Sequence, residues 1–171
     1  MLTIDRYKEI YDILDQAGPA SYDCGTLCNS ICCSDSSFED GDSYIYLFPG
    51  EKEYLDSIGC RISIEKQKRE EHDLPKSWGE YVYIARCPGK DTCDRTVRPI
   101  QCRTFPLQPY ITDKGALEMS LCYTDLPYSC PFVEGKVAAS DDFWQQTRKA
   151  WELLVTDKAI RDLVKLDSRE R

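Results

Sequence analysis

Ten cysteines carry most of the chemical possibility in this 171-residue chain, and they are grouped. Cys24, Cys28, Cys32 and Cys33 fall within the ten residues CGTLCNSICC. Cys87, Cys93 and Cys102 lie in CPGKDTCDRTVRPIQC, and Cys122 and Cys130 bound CYTDLPYSC. Thiolate is a soft anionic ligand that suits zinc and iron–sulfur clusters, each of which takes sets of four cysteines. Short spacings let one loop supply several sulfurs at a small ordering cost. Disulfides, reactive thiols and plain packing are the competing uses. Cys24, Cys28 and Cys32 would share one face of a helix, but Gly25 and the following DSS suit a tight loop equally well. Adjacent Cys32 and Cys33 point apart in most backbone conformations, so one of them is expected to serve another role or a second metal.

Compartment weighs on that choice. The first eighteen residues, MLTIDRYKEIYDILDQAG, lack the basic start, apolar core and cleavage site of a secretion signal. No stretch approaches the ~20 apolar residues of a membrane span. A cytoplasmic, reducing location is therefore expected, where clustered cysteines read as metal-binding or catalytic. Ten in 171 is also below the ~8–10% of a secreted disulfide scaffold. A net charge of −8 argues against a nucleic-acid surface. The partners expected are a metal ion, no nucleic acid and no membrane; no protein partner is indicated.

Charge also suggests which segments meet. Nine acidic residues and no Lys or Arg occur from Glu9 to Glu51. From Arg86 to Arg103 there are five basic residues against Asp91 and Asp94. A zinc ion with four thiolates is net negative, and arginine or amide donors would offset it. Docking of the acidic, thiol-bearing loop on the basic one is the expectation; a solvated mixed surface is the alternative. Prolines near these cysteines (Pro88, Pro99, Pro106, Pro131) stiffen the loops.

The elements that must position these residues are legible in outline. Ile4, Tyr7, Ile10, Tyr11 and Leu14 repeat at helical spacing up to Gly18-Pro19. YIYLF, RISIE and YVYIA read as strands, with a short helix over GEKEYLDSIG between the first two. LQPYIT and ALEMSL flank a Gly-containing turn as a hairpin. Ser140 and Asp141 are N-cap candidates for a helix striped by Phe143, Trp144, Thr147, Ala150, Trp151, Leu154 and Val155, with a last helix through Ile160, Leu163 and Val164. The pattern predicts one α+β domain over 1–171, a small central antiparallel sheet with Cys-rich metal-binding loops and terminal helices. The motif core covers 24–131 and the C-terminal helices 140–166.

The CxxxCxxxCC opening, LFPGE at Leu47 to Glu51, RPIQCRTFP at Arg98 to Pro106 and the closing Cys130-Pro131 together resemble the YkgJ-like cysteine-cluster family, described as zinc- or iron-chelating. That resemblance implies metal binding through Cys24, Cys28, Cys32, Cys33, Cys87, Cys93 and Cys102, with Cys122 and Cys130 completing the set. Cys60 matches no motif position and reads as a small hydrophobe. Cys28 and Cys32 are one residue further apart than in many relatives, and Asp94 follows Cys93 where an apolar residue is frequent; the coordination geometry stays open. The family also resembles the metal-binding portion of flagellin lysine-N-methylase, which implies an iron–sulfur cluster beside methyl transfer. This chain is too short for a comparable catalytic domain, and no Gly-rich nucleotide loop follows a strand.

Three functions follow for comparison: a metal-binding protein holding zinc or an iron–sulfur centre, a metal-dependent enzyme related to protein lysine-N-methylases, and a cysteine redox sensor. His72, the single histidine, sits in EEHD and reads as solvated surface. Asp141-Asp142 reads as helix capping rather than acid–base chemistry.

Overall fold

A computed structural model describes residues 1–33, 44–87, 89 and 95–170. Helix α1 (Ile4–Leu14) is capped by Thr3, whose hydroxyl accepts the Arg6 N–H, and buries Tyr7, Ile10, Tyr11 and Leu14. The periodic stripe read from the sequence is this buried face, apart from Ile4, which is exposed at the first turn. α2 (Gly25–Cys28) and a 3₁₀ turn (Ile31–Cys33) occupy the segment expected as loop.

Three strands, β1 (Tyr44–Leu47), β2 (Ile64–Lys68) and β3 (Tyr81–Arg86), form an antiparallel sheet in the order β1-β3-β2. Tyr46 pairs with Ile84 on one side of β3, and Lys66 pairs with Tyr83 on the other. β2 begins three residues later than RISIE suggests. Its charged half is admitted because β2 is an edge strand with an open face, where Lys66 Nζ lies 3.9 Å from the centre of the Tyr81 ring. The charged stretch thus contributes to the sheet rather than only separating strands.

α3 (Glu51–Ser57) follows β1, and α4 (Ile100–Thr104) precedes the hairpin β4 (Leu107–Ile111) with β5 (Leu117–Leu121). The Phe105–Pro106 peptide between α4 and β4 is cis. α5 (Asp141–Leu154) starts at Ser140, whose hydroxyl accepts the Phe143 N–H and donates to the Gly18 carbonyl, tying α5 to the segment that follows α1. Asp157 caps α6 (Lys158–Asp167) through the N–H groups of Ala159 and Ile160.

Helices and a small sheet enclose one core, and the fold is α+β. Phe48 sits at its centre, edge-on to Trp151 of α5 at 5.5 Å and to Trp78 at 6.2 Å. Trp78 donates its indole N–H to Ala159 in α6 at 3.0 Å, closing the polar end of a buried ring. Thus Phe143 and Trp151 of α5 are buried, as their spacing suggested, while Trp144 is half-buried. Among the described residues no helix is long and apolar enough to cross a membrane.

Candidate metal centre

Local backbone geometry aims the first four cysteines. Asp23 opens their loop, accepting the Gly25 N–H at 3.0 Å on its carboxylate and the Thr26 hydroxyl at 2.8 Å on its carbonyl. α2 then stops after one turn because Asn29 and Ser30 take left-handed φ values of 55° and 54°. Such a pair is costly for residues with a Cβ and is held by the Ser30 N–H bonded to the Gly25 carbonyl at 2.9 Å. Cys32 therefore does not continue the helical face of Cys24 and Cys28; it belongs to the next turn. In that turn the sulfurs of Cys32 and Cys33 lie 4.0 Å apart. A tetrahedral zinc with Zn–S of ≈ 2.3 Å needs sulfurs about 3.8 Å apart. The neighbours do not point apart after all, because the 3₁₀ turn brings both side chains to one side.

Three other segments reach this turn. Cys87 directly follows β3, and its thiol points at the Cys33 carbonyl at 3.8 Å. Cys102 lies in α4 and is exposed, whereas Cys130 is buried. Two cavities record the meeting. One of about 470 Å³ is lined by Cys24, Cys32, Cys33, Cys87 and Cys102. A second, about 40 Å³, is lined by Cys24, Cys28, Cys32, Cys33 and Cys130, and is ion-sized rather than molecule-sized. Seven cysteines from four segments thus share two cavities with three sulfur-bearing residues in common.

Cys122 stands beside this group, its thiol within 3.3 Å of the Thr124 hydroxyl and its backbone N–H on Pro106. Cys60 packs against the core and lines neither cavity; its thiol faces the Val97 carbonyl at 3.8 Å. Cys93 lies outside the described residues. No disulfide joins any two of the nine described cysteines. Among the described residues, no three His, Cys, Asp or Glu side chains are gathered tightly enough to hold a metal as they stand.

Crowding of thiols has an electrostatic consequence. The Cys33 thiol is pushed up to about 11, chiefly by its hydrogen bond with Cys32, while Cys87 and the positive charge of Arg98 pull it back. Thiols this close resist ionising together unless a cation neutralises them. Tyr128 is drawn into the same field: burial raises its phenol most, followed by charge on Cys32, Cys130, Cys122 and Cys33. Tyr128 also meets Phe105 edge-on at 6.5 Å. Nothing in the sequence marked it beyond its place two residues before Cys130.

The arginines divide between roles. Arg98 lines both cavities, and its positive charge acts on the Cys33 thiol. Arg86 instead holds Glu65 at 2.8 and 3.2 Å. Arg103 is buried, pairing with Asp15, donating to the Thr96 carbonyl and lying over the Tyr11 ring. His72 is half-buried, shares a 3.0 Å hydrogen bond between Nδ1 and the Tyr46 hydroxyl, and has a buried Nε2. It is a structural residue under the sheet rather than solvated surface, because EEHD folds back against β1.

No family model matches this chain. Nor does any curated protein or solved structure match it.

One residue behind the site was read in the sequence only as the end of the LFPGE motif. Glu51 is fully buried, its carboxylate accepting the Phe48 N–H at 2.8 Å, the Tyr11 hydroxyl at 2.8 Å and the Ile100 N–H at 2.7 Å. It joins α1, the end of β1 and the start of α4, the helix that carries Cys102. LFPGE held the signal, since a glutamate straight after Pro-Gly at a helix start is placed to reach back to open N–H groups.

Proposed function

We propose that this protein chelates zinc or an iron–sulfur centre through clustered cysteine thiolates, as its resemblance to the YkgJ-like cysteine-cluster family also suggests. The convergence of Cys24, Cys28, Cys32, Cys33, Cys87, Cys102 and Cys130 on two shared cavities carries this reading. Packing alone would scatter small apolar thiols through the core, yet only Cys130 among them is buried. The donor set fits a thiophilic metal: soft ligands, the positive charge of Arg98 acting on Cys33, and Cys32 and Cys33 near the spacing of one ligand edge. Ligation needs the remaining sulfurs to close in around the ion, so metal binding and ordering of the loop are one event. The reducing cytoplasm is the compartment that suits such a set.

Replacing single ligands tests the proposal. Cys28→Ser and Cys102→Ser each lower metal content and melting temperature together, since binding energy becomes folding energy. Cys60→Ser leaves metal content unchanged. Full metal occupancy in both ligand variants would remove these residues from the centre.

A further inference from the structure

The two cavities meet along one wall. Cys24, Cys32 and Cys33 border both of them, as do Phe105 and Tyr128, whose rings meet edge-on. The other four thiols divide. Cys28 and Cys130 border the smaller space, of about 40 Å³, and Cys87 and Cys102 border the larger, of about 470 Å³. The smaller one has about the room that a single water takes in the liquid, and so suits a single ion. Each outlying pair is held by its own part of the fold. Cys130 heads a turn closed by the Glu134 N–H on its carbonyl at 3.0 Å. Cys87 leaves β3 just after Arg86, whose N–H donates to the Ser63 carbonyl at 2.9 Å. Cys102 rides on α4, which the Glu51 carboxylate holds at Ile100. A tetrahedral ion takes four thiolates, so one ion would leave three of these seven unused.

Cys33 is the thiol placed to serve both sides. Its sulfur lies 4.0 Å from that of Cys32, and it also hydrogen-bonds with Cys87. A thiolate sulfur has lone pairs enough to bind two soft ions at once. We propose that the thiols form a binuclear centre, one thiophilic divalent ion in each cavity, with the Cys33 sulfur bridging the two. Cys28 and Cys130 hold the inner ion, in the smaller cavity, and Cys87 and Cys102 hold the outer one. Cys24 and Cys32 give one thiolate each, so that the seven described thiols fill the eight positions of two tetrahedral ions. Seven thiolates on two divalent ions leave a net negative charge, and Arg98, which borders both cavities, is placed to offset part of it. The inference rests on the chelation proposed above and adds how many ions are held and which sulfurs each takes.

The test uses ¹¹³Cd²⁺ as the probe, a soft divalent ion that can be both counted and seen by NMR. Full-length protein is refolded with excess ¹¹³Cd²⁺ under reducing, anaerobic conditions and freed of unbound metal. Native mass spectrometry then counts the ions, and ¹¹³Cd NMR reports their ligands. Two bound ions are expected, with two tetrathiolate resonances, each split by the other through the shared sulfur. Cys28→Ser should lose one of the two ions and Cys102→Ser the other, leaving in each a single unsplit resonance at a different position. Far-UV circular dichroism identifies the variants that are folded. A wild type that binds one ion, two resonances without mutual splitting, or loss of the same resonance in both folded variants overturns the inference while leaving chelation itself standing. Native protein that is metal-free and takes up neither zinc, iron nor cadmium overturns both.

Discussion

The carboxylate of Glu51 accepts the backbone N–H of Ile100 at 2.7 Å, across 49 residues of chain. α4 has no side-chain cap of its own, so this bond from a distant helix does that work. Cys102 stands two residues further on. The position of a candidate ligand is therefore held by a residue whose own hydrogen bonds, among the described residues, go to Tyr11, Phe48 and Ile100.

Glu51→Ala should destabilise the protein by about 3–5 kcal/mol, since it strands three buried donors, from Tyr11, Phe48 and Ile100. Glu51→Gln keeps the shape and one acceptor oxygen, and should cost less, about 1–2 kcal/mol. Urea unfolding of the two variants checks the order. Equal, small effects would show that the buried network contributes little.

Glu51 also gives the fold a pH dependence. Burial holds its carboxyl above the ordinary value of 4.5, while the Ile100 and Phe48 N–H groups, Tyr11 and Arg103 pull it back. Between the ordinary value and the raised one, the native state holds a proton that the unfolded chain has released. Stability from this group is thus present below 4.5 and is lost as pH rises through the raised value. Wild type should lose stability relative to Glu51→Gln over that window in urea titrations at successive pH values. A difference independent of pH would contradict the shift.

Much of this was legible in the residues, for identifiable reasons. α1 and α5 follow from apolar periodicity, and both bury most of the stripes that the sequence displays, Ile4 being exposed and Trp144 and Val155 half-buried. β2 was misplaced because hydropathy alternation weakens on an edge strand, where lysines at 66 and 68 cost little. At the candidate site, cysteine spacing singled out residues that line the two cavities, but not how they are grouped there. Cys60 packs against the core, as its lack of a motif suggested. What the sequence hid were relationships set by tertiary packing: Glu51 with Ile100, Tyr128 among the thiols, and His72 against Tyr46.

Gly25 tests the loop geometry without removing a sulfur. A Cβ there would lie 2.1 Å from the Ser30 hydroxyl oxygen, whose residue already holds a left-handed φ. Gly25→Ala should cost about 1–2 kcal/mol, and adding Ser30→Ala should restore most of it, because the nearest remaining contact at Ser30 is 3.4 Å. A double-mutant cycle in thermal unfolding measures the coupling. Additive effects would mean that the turn is not closed as described.

The most direct test of the central claim is elemental analysis of anaerobically purified wild-type protein, taken with its visible spectrum. A colourless protein holding about one or two equivalents of zinc, or a brown one holding iron and sulfide, is the expected result, since each centre takes four thiolates. Protein that is folded, fully reduced and metal-free, and that takes up neither zinc nor iron when supplied with them, would contradict it.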